Sequence, residues 1–249
     1  MEQGAGAFET SDGRYVPSVT AEQMREVDRI AVEELGLGIL QMMENAGRNL
    51  AGNVLELLDD AVAEVAILGG SGGNGGGGLC CARHLHNHGL KVSVLLSKEP
   101  EELRGPAAHQ LRTLRAAGMT PVTRSFARRA VRRAAITVDA LLGYSLRGAP
   151  RGRVAELIEL CNEEAGLTLS LDLPSGLDAT TGETPGVFVD AARTLTLALP
   201  KTGLRAFAGE LYLADIGIPP EVYRRMGLDF GWASRRRYWF PLRRVEPEG

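Results

Sequence analysis

The chain has 249 residues, of which 44% are hydrophobic and 24% are charged, and this is enough apolar material for the core of one α/β domain. The formal net charge of −3 excludes a general electrostatic attraction to nucleic acid or to membranes, so such binding would need a local patch. No segment approaches the roughly 20 consecutive apolar residues that span a bilayer. We therefore predict one globular domain with no membrane partner.

The cysteines and the N-terminus indicate a cytoplasmic protein. Cys80, Cys81 and Cys161 are few and odd in number, and they fall in predicted helices, which is typical of a reducing compartment. Residues 1–15 have neither a basic start nor an apolar run, so they resemble neither a signal peptide nor a transit peptide. We expect residues 1–18 to form a frayed terminus.

Two amphipathic helices are predicted before the first strand. Thr20 and Gln23 form a capping-box pattern, and apolar residues follow at helical spacing as far as Gly36. A second apolar stripe runs through residues 39–58, which predicts a longer helix of about five turns.

From Glu64 onwards, strand patterns and helix patterns alternate. Predicted strands are short apolar runs between turn residues, at 64–68, 91–96, 136–141, 167–172, 193–199 and 210–214. Predicted helices cover about 79–88, 106–117 and 152–165. This alternation predicts an α/β fold with a mostly parallel sheet and helices on both faces, a Rossmann-like three-layer α/β/α sandwich.

A glycine-rich stretch follows the first of these strands, with eight glycines among residues 69–78. Glycines let the backbone approach a ligand, and a helix start offers free N–H groups, so the loop predicts a phosphate site. The spacing also matches the dinucleotide-binding pattern, which requires an acidic residue at the end of the second strand. That strand ends in Ser97 and Lys98, which disfavours a redox dehydrogenase. A mobile glycine linker is the alternative interpretation.

Five motifs follow one another along the chain. They are Met42-Met43-Glu44-Asn45-Ala46-Gly47, the glycine loop continuing to Leu79-x-x-Ala82-Arg83-His84-Leu85, Asp139-Ala140-Leu141-Leu142-Gly143, Asp172-Leu173-Pro174-Ser175-Gly176-Leu177-Asp178 and Pro200-Lys201-Thr202-Gly203-Leu204. In this order they resemble the NAD(P)H-hydrate epimerase family, the YjeF N-terminal domain, over about residues 19–228. The resemblance implies a Rossmann-like sandwich that interconverts the two epimers of hydrated NADH or NADPH in nucleotide repair, often as a dimer.

The same resemblance implies the residues of the site. Its potassium ligands fall on Asn74, Asp139 and Ser175, and its acid–base residue falls on Asp172. The implied substrate contacts are Gly73, Asn74, Gly75, Gly76, Gly77, Gly143, Tyr144, Ser145, Leu146, Arg147, Gly148, Ala149 and Asp172. Oxygen ligands at three strand ends suit a hard cation such as K⁺. The plain alternatives are a turn cap at Asp172 and an ordinary loop at 143–149.

The glycine loop departs from the family pattern at two positions. That pattern reads Gly-x-Gly-Asn-Asn-Gly-Gly-Asp-Gly, whereas this chain has Gly73 in place of the first Asn and Gly77 in place of the Asp. Loss of one hydrogen-bonding side chain commonly costs about 1–3 kcal/mol, which slows an enzyme without silencing it.

Histidines and arginines form weaker patterns. His84 and His88 share a helix face at metal-ligand spacing, but no acidic or cysteine partner has a matching offset, so a solvated helix end is expected. The basic segment contains Arg124, Arg128, Arg129, Arg132 and Arg133, and the tail contains Arg235, Arg236, Arg237, Tyr238, Trp239, Phe240, Arg243 and Arg244. Such a mixture can bind single-stranded nucleic acid. A solvated helix face and a tail docked on the domain are expected instead.

The resemblance therefore predicts an NAD(P)H-hydrate epimerase with K⁺ as cofactor and hydrated NADH or NADPH as substrate. A separate NAD(P)H-hydrate dehydratase chain and a homodimer are the expected partners. Residues 19–228 would form the epimerase domain and residues 229–249 a basic, aromatic tail. The rival interpretation is a catalytically retired fold that binds RNA or a protein partner, supported by Gly73, Gly77 and the arginines. Oxygen ligands converging at the strand ends argue against that rival.

Overall fold

The computed structural model describes residues 8–59, 63–232 and 237–245. The strands are β1 (Phe8–Thr10), β2 (Tyr15–Val16), β3 (Glu64–Gly69), β4 (Lys91–Leu96), β5 (Ile136–Ala140), β6 (Thr168–Leu171), β7 (Arg193–Leu197), β8 (Glu210–Ala214) and β9 (Trp239–Arg244). The helices are α1 (Ala21–Arg29), extended by a π-helical turn (Ile30–Glu34), α2 (Ile39–Leu58), α3 (Gly73–Asn87), α4 (Gly105–Ala116), α5 (Ala127–Arg133), α6 (Arg153–Glu164) and α7 (Pro220–Arg225).

All these strands join one sheet in the order β2-β1-β9-β8-β7-β6-β5-β3-β4. The six strands from β4 to β8 are parallel, whereas β9, β1 and β2 pair antiparallel. The chain runs outward from β3 to β4 and then returns to pair β5 with the other side of β3. A ligand crevice is expected at the carboxyl ends of β3 and β5, because the strand order reverses there.

The mostly parallel three-layer sandwich predicted from the sequence is confirmed. Each predicted strand of the alternating region is present, with its ends within two residues of the prediction. Successive residues of β3 point to opposite faces of the sheet. Val65 and Ile67 belong to the core formed with α2, α3 and α4, and Ala66 and Leu68 belong to the core formed with α5 and α6. Both faces of the central strand are therefore buried under helices.

The N-terminal segment is part of the sheet, so the prediction of a frayed terminus is wrong for residues 8–18. Phe8 is fully buried and Val16 is 1% exposed, and the two residues pair between β1 and β2. These strands have three and two residues, which is too short for a periodic pattern. Residues 1–7 lie outside the described residues.

The C-terminal segment is also built into the sheet. The strand β9 lies between β8 and β1, and Phe240 and Leu242 are buried while Pro241 and Arg243 are exposed. Residues 239–244 of the predicted docked tail therefore form a strand of the sheet. Because this strand pairs with β8, no domain boundary separates it from residues 19–228. Arg235 and Arg236 lie outside the described residues. In the part of the chain that is described, no helix is long and apolar enough to cross a membrane.

Residues 73–78 of the glycine stretch are helical, whereas the sequence pattern predicts a loop as far as residue 78. The helix α3 begins at Gly73, six residues earlier than the apolar pattern predicts. A Cβ atom on Gly75 would lie 1.9 Å from the Gly70 carbonyl oxygen, and one on Gly78 would lie 2.5 Å from the Ala140 Cβ. These glycines are required because the helix packs directly onto the strand ends.

Candidate active site

A cavity of about 400 Å³ opens at the carboxyl ends of β3, β5 and β6, where the topology places a ligand crevice. Seven of the predicted substrate-contacting residues line it: Gly73, Asn74, Gly77, Gly143, Tyr144, Ser145 and Asp172. The other six do not belong to its wall: Gly75, Gly76, Leu146, Arg147, Gly148 and Ala149. Asp28 of α1 and Lys201 also belong to the polar part of the wall, and the sequence predicts no role for either residue.

Asp172 follows the last residue of β6 and is 4% exposed. Its φ angle is 68°, a left-handed conformation that Asp adopts more readily than most residues. Its Oδ1 atom accepts hydrogen bonds from Lys201 Nζ and, at 3.2 Å, from the Leu197 N–H. Among the described residues, its Oδ2 atom accepts no hydrogen bond. The carboxylate is therefore anchored through one oxygen and leaves the other free at the cavity wall.

Lys201 forms the most buried ion pair of the site. Its side chain is 1% exposed, and its ammonium group also donates to the Leu197 carbonyl oxygen at 2.9 Å. A lysine is rarely buried to this extent without a charged partner. The signal in the sequence was a single lysine directly after the apolar run that ends β7, but its pairing with Asp172 depends on the fold. The turn-cap interpretation of Asp172 does not account for this partner.

Asp28 reaches the same cavity from α1. The Tyr144 hydroxyl donates a hydrogen bond of 2.5 Å to its Oδ2 atom. Burial raises the pKa of Asp28. The Tyr144 hydrogen bond and the Lys201 charge lower this pKa, but by less than burial raises it. Burial and the Asp28 charge raise the pKa of the Tyr144 hydroxyl. The cavity thus contains a second carboxyl group, which favours its proton more than an exposed Asp does.

The predicted potassium ligands lie in one cluster beneath the cavity. Asp139 is fully buried and accepts four hydrogen bonds, from Ser170 Oγ (2.8 Å), Ser175 Oγ (2.6 Å), the Ser175 N–H (2.8 Å) and the Leu141 N–H (3.1 Å). Burial raises the pKa of Asp139, and these hydrogen bonds lower it. The four donors hold the carboxylate in a fixed orientation at the end of β5.

Asn74 connects α3 to this cluster. Its Nδ2 group donates to the carbonyl oxygens of Leu142 (2.8 Å) and Leu171 (3.1 Å). Ser175 Oγ lies 3.4 Å from the same Leu142 oxygen. The structure therefore brings Asn74, Asp139 and Ser175 together, as the sequence predicts.

The donor set suits a hard cation. Within the described ranges, no basic side chain pairs with Asp139, and a buried carboxylate without a counter-charge is costly. The oxygens around it come from carboxylate, hydroxyl and main-chain carbonyl groups, which are the ligands that such cations prefer. Burial, charge and ligand type therefore agree with a hard cation here.

His88 is exposed at the end of α3, as expected. The expectation that no acidic or cysteine partner has a matching position is wrong for His84, which lies in the last turn of α3, four residues after Cys80. Its Nε2 atom lies 2.8 Å from Glu44 Oε1, and Cys80 Sγ lies 3.3 Å from Glu44 Oε2. Arg83 Nη2 contacts the same carboxylate at 2.5 Å and Cys80 Sγ at 3.4 Å. Since the guanidinium already supplies a positive charge to these groups, the cluster is an ion pair that joins α2 to α3.

The basic segment is a solvated helix face, as expected. Arg128 and Arg132 on α5 pair with Glu164 of α6, and Arg133 pairs with Glu64 at 2.9 Å. Each of these arginines is at least half exposed. Neighbouring acids therefore balance much of the positive charge that suggested nucleic-acid binding.

The fold and the cavity define a Rossmann-like α/β domain with a cavity at the strand ends that is lined by apolar and polar residues. The family described as YjeF-related protein N-terminus matches residues 39–203, and the chain belongs to this family. The resemblance inferred from the five motifs is confirmed.

Relatives with functional names match most of the chain. A protein of Dehalogenimonas lykanthroporepellens named NAD(P)H-hydrate epimerase is 49% identical, and the match covers 89% of this chain and 90% of that protein. A Hyperthermus butylicus protein named bifunctional NAD(P)H-hydrate repair enzyme Nnr is 42% identical, over 83% of this chain and 40% of that protein. The crystal structure of yeast ynu0, YNL200c, has a TM-score of 0.80 at 21% identity and covers 92% of this chain and 100% of its own, which shows a shared fold.

Proposed function

We propose that this protein is an NAD(P)H-hydrate epimerase that interconverts the two epimers of hydrated NADH and NADPH. The observation that carries the proposal is Asp172, a buried carboxylate anchored through Oδ1 by Lys201 and free through Oδ2 at the cavity wall. The 49% identity to a protein named NAD(P)H-hydrate epimerase, over nine-tenths of both chains, supports the same activity.

The start of α3 suits the phosphates of such a substrate. Ser71, Gly72 and Gly73 line the cavity, and the first N–H groups of a helix attract anions. A Cβ atom on Gly72 or Gly73 would meet nothing within 4 Å, so the backbone is open to a ligand there. In the proposed complex the phosphates lie at this helix start and the hydrated nicotinamide ring lies near Asp172.

Epimerisation of the carbon that bears the added hydroxyl group needs proton transfer. Either the hydroxyl leaves and returns on the other face, or the ring opens at this carbon and closes again. Both routes need a positioned acid–base group, which typically contributes about 10²–10⁴-fold to a rate. Asp172 is the proposed group, because its free oxygen faces the cavity while Lys201 fixes the other.

A potassium ion would be held by Asn74, Asp139 and Ser175 in this proposal. When bound, the ion would balance the Asp139 charge and attract substrate phosphate oxygens. The hydrogen bonds from Ser175 to Asp139 hold the end of β5 to the loop after β6, close to Asp172. The support is the buried Asp139 carboxylate, which has four hydrogen-bond donors but no basic partner within the described ranges.

The wider cellular setting is also a proposal. Three buried free cysteines support a reducing, cytoplasmic compartment. The bifunctional relative from H. butylicus is matched over 40% of its length, so only epimerisation is proposed for the matched region. A separate dehydratase chain and a homodimer stay predictions.

The retired binding module has less support than the epimerase. Its main argument was the arginine segment, whose charges are largely balanced by Glu64, Glu163 and Glu164. The replacements at Gly73 and Gly77 leave the Asp172–Lys201 pair in place. Epimerase activity of the purified protein distinguishes the two candidates.

The test incubates purified protein with one pure hydrated epimer in potassium buffer and follows the other epimer by chromatography. Asp172→Asn serves as the matched variant, since it keeps the size of the side chain and removes its proton-transfer group. We expect rapid equilibration with the native chain and a rate about 10²–10⁴-fold lower with the variant. Native protein without activity on either epimer would overturn the proposal.

A further inference from the structure

Two carboxyl groups reach the cavity, and both are held in the same manner. Asp172 is bound through Oδ1 by Lys201 and the Leu197 N–H. Asp28 is bound through Oδ2 by the Tyr144 hydroxyl. Among the described residues, the second oxygen of each side chain has no hydrogen bond. Each group is thus oriented by one oxygen and available for proton transfer through the other.

The two carboxyl groups differ in their charged surroundings. Lys201 forms its ion pair with Asp172, so the positive charge of the lysine lies directly against that carboxyl group. Asp28 lies farther from the lysine, and burial acts on it more strongly than the attraction of Lys201. Among the described residues, the titratable groups that interact with Asp28 are Asp172 and Lys201 from the strand ends, Tyr144 from the loop after β5 and Tyr223 from α7. Arg25 of α1 interacts with Tyr144. Two carboxyl groups in unlike environments are typical of an acid and base pair.

We propose that Asp28 is the second acid–base residue of this site, oriented by the Tyr144 hydroxyl and acting on the same substrate carbon as Asp172. The inference rests on the proposed epimerase function. It assigns a proton donor, Asp28, and a proton acceptor, Asp172, to a reaction that needs both.

The proton balance can be written for each route. If the hydroxyl leaves, the C–O electron pair departs with oxygen, which takes the Asp28 proton and becomes water, while the ring nitrogen lone pair forms an N=C bond. Water then adds to the other face, the N=C electrons return to nitrogen, and Asp172 takes the released proton. Asp172 then releases this proton to water and Asp28 takes one from water, which restores both groups before the next turnover.

If the ring opens instead, Asp172 takes the hydroxyl proton as the carbonyl forms. The C–N electron pair passes to nitrogen, which receives the Asp28 proton. Closure on the other face reverses both transfers and restores the enzyme in a single turnover. Both routes thus require one proton donor and one proton acceptor, which act in successive steps in the first route and together in the second.

The test compares the native chain with Asp28→Asn, Tyr144→Phe and Glu26→Gln. Glu26 is the control, because it lies on the same helix in an exposed ion pair with Arg29. The kcat and KM values are measured in both directions between pH 4 and pH 9, together with the binding of unhydrated NADH and the melting temperature. The expected result is a fall in kcat of about 10²–10⁴-fold for Asp28→Asn, with KM and NADH binding nearly unchanged.

The pH dependence of kcat/KM distinguishes a proton-transfer role of Asp28 from a structural one, because a structural role would leave this dependence unchanged. Asp28 must carry its proton, so kcat/KM falls as the pH rises through its pKa, and this decline disappears in Asp28→Asn. The Tyr144 hydrogen bond lowers the pKa of Asp28, so Tyr144→Phe raises that pKa and moves the decline to higher pH. Glu26→Gln leaves the profile unchanged.

If the native protein is active and Asp28→Asn has the same pH profile as the native protein, this inference is overturned while the epimerase function still holds. Inactive native protein would overturn the epimerase function itself. If Asp28→Asn does not fold, the profile of Tyr144→Phe decides, and an unshifted decline in that variant overturns the role of Asp28.

Discussion

Asp139 and Asp172 lie at the ends of neighbouring strands, yet their surroundings differ. Both oxygens of Asp139 are occupied by four donors and no basic side chain pairs with it within the described ranges. Asp172 has a lysine on one oxygen and no hydrogen bond from a described residue on the other. A carboxylate bound through both oxygens fixes a loop, whereas one bound through a single oxygen can exchange a proton. Burial alone does not distinguish the two roles.

The largest effect is expected from removing the charge of Asp172. Asp172→Asn should lower turnover by about 10²–10⁴-fold while nucleotide affinity changes little. Steady-state kinetics with both epimers and NADH titration measure the two quantities. An Asn variant with native turnover would remove Asp172 from the mechanism.

A second effect concerns the stability of the Asp172–Lys201 pair. Removing either partner leaves the other buried, which typically costs about 3–5 kcal/mol, whereas replacing both with apolar residues is often neutral. We expect Lys201→Met to lower the free energy of unfolding by this amount and Asp172→Leu with Lys201→Met to recover only part of it, because leucine is disfavoured at the left-handed φ of position 172. Urea unfolding measures both variants. The double variant should stay inactive, which separates the stability of the pair from its chemistry.

Asp139→Asn should lower the free energy of unfolding by less, about 1–3 kcal/mol. One main-chain N–H loses its acceptor, whereas the serine hydroxyl groups can rotate to new hydrogen-bond partners. A loss of that size lowers the melting temperature by roughly 2–4 °C per kcal/mol in a chain of this length. Turnover should fall less than in Asp172→Asn. If Asp139→Asn were as inactive as Asp172→Asn but as stable as the native chain, the different roles assigned to the two carboxylates would be wrong.

Potassium should stabilise the native chain through the Asp139 cluster. A ligand at 100 times its dissociation constant adds about 2.7 kcal/mol, and a weakly held ion adds less. We expect a higher melting temperature in KCl than in tetramethylammonium chloride at equal ionic strength, and no such difference in Asp139→Asn. Equal melting temperatures of the native chain in the two salts would argue against the cation site.

The smallest effect is expected at the start of α3. Gly73→Asn faces open space, so it should add a hydrogen bond to the ligand and tighten nucleotide binding by about 10-fold or less. A Cβ atom on Gly77 would lie 2.8 Å from Leu171 Cδ2, so Gly77→Asp must displace that side chain and should gain less. Isothermal titration of both variants measures the difference. Tighter binding in Gly77→Asp than in Gly73→Asn would contradict this interpretation.

Local sequence patterns predicted the parallel part of the fold because its strands and helices carry their own periodicity. The edge of the sheet was missed for the opposite reason, since β1 and β2 are short and pair with β9 at the far end of the chain. The start of α3 was placed too late because glycine has a low intrinsic helix propensity. Tertiary packing overrides that propensity at Gly75 and Gly78.

The predicted ligands at Asn74, Asp139 and Ser175 came together because strand ends meet at one edge of a parallel sheet. The partner of Asp172 and the acidic partner of His84 could not be read from the sequence in this way, whereas Cys80 lies four residues before His84 on the same helix. Lys201 follows a different strand, and Glu44 lies on a different helix from His84. A search for offsets along one element cannot detect contacts between elements.

The bridge between Val19 and Lys201 has a practical consequence for anyone handling this protein. The Val19 N–H donates to the Pro200 carbonyl, and the Thr202 N–H donates to the Val19 carbonyl, both at 3.0 Å. The segment that leads into Asp28 is thus attached by its backbone to the residues on either side of Lys201, which pairs with Asp172. We therefore expect a protease nick near residue 19 to alter the geometry of the cavity. Kinetic constants from differently trimmed preparations should be compared only after this segment has been verified.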